Sequence, residues 1–378
     1  MKRRHFLRTA SVATAAGLSA AACGKKTAAT AGGPSSPEAT SATAGPQAAE
    51  YKWKMVTTWP SNFPALGTGA QYFAETIEKC SNGRIKIKVY GANELVPALE
   101  VFDAVSRGIA ELGHAGAYYW KGKTESASFF SAVPFGLTSM EMNAWLYFGG
   151  GLELWQETYA PFGLLPVPCG NSNCQMGGWF NKEINTVADL KGLKMRIPGL
   201  GGEVLARAGA TTVTLAGGEI FTALQTGTID AAEWVGPYND LAFGLYKAAK
   251  YYYYPGWHEP GSTLEGLINK KAFDALPKDL QTIVLTAAQA TNDRMLAEFN
   301  ARSPAALASL INDHKVQLRA FPNDVLKLLR DLSHEVVQEK AAKDAQFKKV
   351  YDSFLTFQRA VIPWTRISDQ AFVAARAL

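Results

Sequence analysis

Between Tyr51 and His114 short β-rich runs alternate with helical ones, and this order constrains the fold more than any other feature of the chain. Tyr51–Trp59 alternates in polarity as a half-buried strand does. Ala65–Lys79 has helical apolar spacing and ends before Asn82-Gly83, a helix-stop signal. Ile85, Ile87 and Val89 alternate with Lys86 and Lys88 in a second strand. Val96–Ser106 reads as a helix closed by Gly108, and Ile109–His114 as a third strand. Strands and helices alternating at this spacing predict βαβ units and a mostly parallel sheet.

The order then repeats. Leu193–Ile197, Thr212–Leu215 and Ile229–Val235 read as strands, with helices over Gly201–Ala208 and Gly218–Gln225 between them. Ala104-Val-Ser-Arg-Gly-Ile-Ala-Glu-Leu and Ala223-Leu-Gln-Thr-Gly-Thr-Ile-Asp-Ala lie 119 residues apart. Both give a helix end, a glycine cap and a strand entered through an acid. The expected class is α/β with two similar lobes. From Lys270 onward the chain is mainly helical: a long segment from Leu276-Pro-Lys-Asp279, interrupted near Pro304, a strand at Val316–Phe321, a helix over Val325–Phe357 and a short last helix from Ser368. These helices are expected to brace the lobes.

The first 22 residues are set apart. Lys2-Arg3-Arg4-His5-Phe6-Leu7-Arg8 is a twin-arginine pattern, followed by an uncharged Ala-rich stretch too short and too weakly apolar for a stable anchor. This reads as a signal peptide, residues 1–22. Ala20, Ala21 and Ala22 precede Cys23, which either takes a lipid or follows an ordinary cleavage site. Residues 23–49 are rich in Ala, Thr, Ser, Gly and Pro and read as a flexible tether. The globular body is expected over 50–378, with one lobe of about 50–170 plus a segment after 259, and the other of about 171–258 plus the C-terminal helices.

Charge removes one class of function. Net charge is +5, but Lys2, Arg3, Arg4 and Arg8 supply four of these charges, leaving +1 for the rest. That is too little for a nucleic-acid surface. The longest uncharged stretch, Thr158–Asn181, holds Pro161, Pro166 and Pro168 and reads as loop, buried strand, turn and strand rather than as a membrane helix. Cys169 and Cys174 flank a Gly-Asn-Ser-Asn turn and are either a disulfide or two separate thiols.

Familiar catalytic signatures are absent: no G-x-S-x-G, H-E-x-x-H or Walker loop occurs. Gly199-Leu-Gly201-Gly202 opens a helix after a strand, but Val204 stands where a dinucleotide turn needs a small residue. Ligand binding between two lobes remains.

Val96-Pro-Ala-Leu-Glu-Val-Phe-Asp-Ala-Val-Ser-Arg-Gly, Ala132-Val-Pro-Phe-Gly, Leu190-Lys-Gly-Leu-Lys-Met-Arg-Ile-Pro-Gly and Ala223-Leu-Gln-Thr-Gly-Thr-Ile-Asp-Ala-Ala-Glu-Trp resemble the solute receptors of TRAP transporters (tripartite ATP-independent periplasmic). Cys174-Gln-Met-Gly-Gly-Trp-Phe, Glu233-Trp-Val-Gly-Pro and the Tyr251–Tyr254 run are closer to the α-keto acid branch of that family. The resemblance implies a two-lobed, periplasmic-binding-protein-like fold with a ligand cleft between the lobes and extra C-terminal helices. It implies a receptor rather than an enzyme, periplasmic, serving a membrane permease. By the same resemblance Arg196 clamps a substrate carboxylate. Gln175 offers its side-chain oxygen to ligand and cation, Glu233 ligates the cation by its carboxylate, and Trp234 by its backbone carbonyl. Tyr118 and Tyr119, just after the third strand, are candidates to hydrogen-bond the ligand. His258-Glu259 is either a solvated loop or a further contact, with Glu259 the candidate.

The chemistry suits these roles. A planar guanidinium holds a carboxylate by two bonds, and sodium takes oxygen ligands. One Glu, one cation and one Arg balance a single ligand carboxylate, which favours a monocarboxylate 2-oxo acid such as pyruvate. The alternative is lactate or another hydroxy acid with a divalent cation, Ca2+. The resemblance further implies a homodimer exchanging a C-terminal helix. Ile367, Phe372 and Val373 would need an apolar partner there, behind a cap at Ser368-Asp369. An open cleft would leave Arg196 hydrated, so that its loss would hardly change the stability of the empty protein.

Overall fold

The structure is a computed structural model that describes residues 51–378. The residues read as signal peptide and tether, Cys23 among them, lie outside the described residues. The strands are β1 (Tyr51–Thr57), β2 (Ile85–Tyr90), β3 (Leu112–Ala115), β4 (Leu164–Asn171), β5 (Gly178–Phe180), β6 (Lys194–Arg196), β7 (Thr211–Val213), β8 (Ala231–Ala232), β9 (Tyr251–Tyr254), β10 (Thr263–Asn269) and β11 (Gln317–Ala320). They form a five-stranded sheet, β2-β1-β3-β10-β4, and a six-stranded one, β11-β9-β5-β8-β6-β7. Helices pack against both, giving the two-lobed α/β architecture.

The sheets are mixed, which corrects the expectation of mostly parallel ones. In the first, β10 runs antiparallel to β3 and β4. In the second, β5 runs antiparallel to β8 and β9. The cause is a two-stranded ribbon that spans both sheets. The chain leaves the first sheet after β4 and enters the second as β5, then returns from β9 to β10. The two crossings bond to each other through Ser172 N–H to Ser262 O at 2.9 Å and Gln175 N–H to Glu259 O at 3.1 Å. A strand that comes back along its partner must run the other way.

The internal repeat is physical. Gly108 and Gly227 both take positive φ, 73° and 71°, the conformation a helix-ending glycine supplies. The acids that follow do the same work: Lys54 N–H donates to Glu111 Oε2 at 2.7 Å, and Lys194 N–H to Asp230 Oδ2 at 2.9 Å. In both lobes a carboxylate thus accepts a backbone N–H of the neighbouring strand.

Several expected elements differ. Pro97 confines the helix expected over Val96–Ser106 to a 3₁₀ turn, Ala98–Glu100, and a helix, Val101–Ser106. The helix Lys278–Asn312 runs unbroken through Pro304. Proline removes one internal bond, and packing of this helix on β4 and on the helices Leu66–Cys80 and Pro237–Phe243 outweighs the loss. Val325–Phe357 is divided into Asn323–Ala341 and Ala345–Thr365, the second capped by Asp344, which accepts from Phe347 N–H at 2.9 Å. Ser368 caps nothing: the chain stays helical through it and its hydroxyl donates to Trp364 O at 2.8 Å. Cys169 and Cys174 are free. Their turn is held instead by Asn173 N–H bonding Asn171 Oδ1 at 2.7 Å.

Glu265 is buried in β10, where its carboxyl accepts from Trp120 Nε1–H. Burial pushes it up to about 7 from 4.5. Between those values the unfolded chain has lost a proton that the folded protein keeps, so stability falls as pH rises through this window and the cost is complete above it. Glu265→Gln should therefore melt higher than the parent at about pH 8 and near the parent at about pH 4. Thermal melts across pH check this; an equal gap at both ends would refute it.

Candidate functional site

In the second sheet β6 and β8 run parallel with Arg196 opposite Ala232. Arg196 ends β6, and Glu233 follows β8 directly, its N–H bonding Arg196 O at 3.1 Å. Both therefore sit at the carboxyl ends of parallel strands, where open α/β sheets bind ligands. In the first sheet Tyr118 and Tyr119 lie in the turn that follows β3. The ribbon crossings supply Gln175, His258 and Glu259.

Arg196 and Glu233 are each 1% exposed and form an ion pair through Nη1 and Oε1. Arg196 also donates from Nη1 to Glu233 O at 2.7 Å, from Nε to Leu215 O at 3.2 Å and from Nη2 to the Tyr119 hydroxyl at 3.3 Å. The Trp234 ring lies 5.4 Å from the guanidinium carbon. Burial works against the charge on Arg196, and Glu233, Tyr119, Tyr118 and Glu259 more than reverse this. The expectation that Arg196 would be hydrated in the empty protein is thereby overturned: Glu233 and the backbone take the place of water.

Glu259 accepts from Gln175 Nε2–H at 2.7 Å and from the Ser262 hydroxyl. Burial, then the nearby Glu233 charge, push it up to about 7. Burial pushes the Tyr118 phenol well above its ordinary value, with Glu259 adding to the shift. His258 Nε2 stands 3.5 Å from Glu233 Oε2. One ligand atom from each of Glu233, His258 and Glu259 falls within 4.8 Å of the others. Gln175 Oε1, Glu233 Oε2 and both His258 nitrogens are buried without a hydrogen-bond partner. Buried polar atoms ordinarily have partners. A hard cation, which takes oxygen ligands, fits the oxygen atoms of this set.

Arg196, Gln175, Tyr118, Tyr119, Glu233, Trp234 and Glu259 are all buried or half-buried around this one location. His258, open in the sequence between loop and contact, is buried beside Glu233. Asp240 escapes sequence reasoning altogether. Its Oδ1 accepts from Val235 N–H at 3.2 Å and Gly236 N–H at 3.1 Å, and its Oδ2 from Trp179 Nε1–H at 2.9 Å and the Tyr252 hydroxyl at 2.7 Å. It thus fixes the backbone just after Glu233-Trp234. An Asp in the first turn of a helix is ordinary helix-start chemistry, and nothing in the sequence marks it further.

The family model "Bacterial extracellular solute-binding protein, family 7" matches residues 55–344. A monocarboxylate 2-oxoacid-binding periplasmic protein of Nostoc sp. is 42% identical over 374 residues, covering 98% of each chain. A TRAP periplasmic solute-binding protein from Pseudoalteromonas atlantica, solved with bound sodium and pyruvate, is 45% identical with a TM-score of 0.84; the match covers 86% of this chain and 99% of that one. Its counterpart from Colwellia psychrerythraea, solved with bound calcium and pyruvate, is 44% identical with the same TM-score and coverage.

Breaking a buried ion pair by removing one partner costs about 3–5 kcal/mol, because the other charge stays buried alone. Arg196→Ala should therefore lower the melting temperature of the ligand-free protein clearly. A melt unchanged from the parent would show that the pair carries no stability.

Proposed function

The chain belongs to the bacterial extracellular solute-binding proteins of family 7, the solute receptors of TRAP transporters, and within that family we propose that it binds monocarboxylate 2-oxo acids such as pyruvate together with a sodium ion. The observation that carries this reading is a buried guanidinium paired with Glu233, whose Oε2 has no partner, with Gln175 Oε1 likewise buried and unpartnered. One end of such a site suits a carboxylate and the other a cation. Arg196 grips the ligand carboxylate. Tyr118 and Tyr119 bond it from the other lobe. Gln175, the Glu233 carboxylate and the Trp234 carbonyl hold the cation, and Glu259 borders the ligand through Gln175. When bound, the cation supplies the positive charge that lets the ligand carboxylate lie near Glu233.

A lactate-type receptor with calcium is the second reading. The cluster of Glu233, His258 and Glu259 favours it, since two carboxyls suit a divalent charge. The relatives from Colwellia psychrerythraea and Pseudoalteromonas atlantica carry the same acid, pyruvate, with calcium and with sodium, so the cation does not by itself name the ligand. In either case the receptor performs no chemistry. It delivers its ligand to a membrane permease from outside the cytoplasm, tethered there if Cys23 is lipidated. Among the described residues no helix is long and apolar enough to cross a membrane. We read two lobes closing on the ligand, and a homodimer: Trp364, Ile367, Phe372 and Val373 are all exposed on the last helical stretch, and a second copy would bury them. A monomeric mass by light scattering at micromolar protein would contradict the dimer.

Calorimetric titration of organic acids with and without sodium tests the main reading. Without a cation Glu233 repels the ligand carboxylate, so sodium and pyruvate should each raise the affinity of the other. Equal pyruvate affinity in both buffers would refute this. Arg196→Ala should weaken pyruvate binding by about 30-fold or more, since truncating one partner of a buried charge pair costs about 2–5 kcal/mol. Arg196→Lys should recover only part, because an ammonium cannot form two parallel bonds. Parent-like binding by Arg196→Ala would remove Arg196 from the site.

A further inference from the structure

A guanidinium has five N–H donors in a rigid fork. In Arg196 four of them are engaged: Nε with Leu215 O, both hydrogens of Nη1 with the carbonyl and carboxylate of Glu233, and one hydrogen of Nη2 with Tyr119. A carboxylate held by two parallel bonds needs donors on two adjacent nitrogens. The single donor left on Nη2 cannot provide them. Any ligand carboxylate that Arg196 is to hold must therefore displace a present partner.

The partners differ in how readily they leave. Leu215 O and Glu233 O belong to the backbone beside β7 and β8. The Glu233 carboxylate is a side chain with a second seat. Its Oε2 makes no hydrogen bond and faces His258 Nε2 at 3.5 Å. Glu259 lies within the same cluster, and the Gln175 amide is bonded to it. Glu233 therefore stands between the guanidinium on one side and the donor set suited to a cation on the other.

We infer that Glu233 is the resident counter-ion of Arg196, which keeps the carboxylate clamp occupied until a cation draws the Glu233 side chain away, so that the cation binds first and the organic acid second. This rests on the proposed role of Arg196 and gives that site an order of events. An organic anion arriving alone meets Glu233 at contact distance and finds no pair of donors. With the Glu233 carboxylate turned to the cation, Nη1 frees one donor to join the one left on Nη2, while its other hydrogen stays on Glu233 O. The same side chain then serves as lock and as ligand.

Glu233→Gln keeps the size and an acceptor oxygen but carries no charge. Calorimetric titration with pyruvate, in sodium buffer and in a buffer of a bulky organic cation, separates the cases. The parent should bind at least about tenfold tighter with sodium, the ordinary size of a coupling between sites. Glu233→Gln should bind tighter than the parent in the sodium-free buffer and lose most of the sodium dependence. If Glu233→Gln instead loses affinity in both buffers, the carboxylate is only a ligand and the lock is refuted, while the receptor reading stands. If the parent binds pyruvate in neither buffer, the receptor reading fails first. Should the variant not fold, stopped-flow fluorescence on the parent decides, since Trp234 lies against Arg196. The pyruvate association rate should rise with sodium to a plateau, and a rate independent of sodium overturns the order.

Discussion

A guanidinium taken out of water has to be neutralised and have its donors met, and around Arg196 this requirement organises the whole centre of the molecule. The ion pair with Glu233 is possible because β6 and β8 run parallel and end together. Two backbone carbonyls and the Tyr119 hydroxyl take the remaining engaged donors. Tyr119 belongs to the turn after β3 in the first sheet, so its hydroxyl reaches Arg196 from the other lobe. A buried pair of this kind is a weak source of net stability but a severe liability when halved.

The scaffold keeps these groups at fixed places by means that have nothing to do with the ligand. The ribbon of β4–β5 and β9–β10 carries Gln175 on one crossing and His258-Glu259 on the other, bonded to each other through backbone groups. A Cβ on Gly256 would run into the backbone of Gln175, so only glycine lets the two crossings lie this close. Asp240, with four bonds accepted, fixes Val235 and Gly236 behind the site. Charged side chains bridge the segments that carry Tyr119 and Arg196. Lys121 lies 3.1 Å from Glu203, and Lys340 joins Glu203 at 2.8 Å while pairing with Glu125. Partly exposed pairs like these are individually worth little; together they register one lobe against the other.

Much of this was legible in the chain. Alternating polarity and helical spacing come from contacts between near neighbours in sequence, so the βαβ order, the glycine caps at Gly108 and Gly227 and the acids Glu111 and Asp230 could be read directly. The motifs around Gln175, Arg196 and Glu233-Trp234 pointed to an organic-acid receptor and named most of the groups that meet at the centre. The reversed strands β5 and β10 could not be read, because strand direction depends on a crossing that returns from far along the chain. Pro304 misled for the same reason: its local cost is plain, and the packing that outweighs it is not.

Residue type and local spacing by themselves determined that the chain makes strands, helices and caps in a twice-repeated order, and its motifs, through their resemblance to a receptor family, singled out the side chains expected to hold a carboxylate and a cation. Only the tertiary structure decided that Arg196 is dry and paired, that Glu233 has one oxygen engaged and one free, and that Asp240 and His258 belong to the centre. Burial and ion pairing are properties of what surrounds a group in space. Arg196 and Glu233 are 37 residues apart in the chain, and their hydration and their pairing were settled only when parallel strands brought them to the same buried edge.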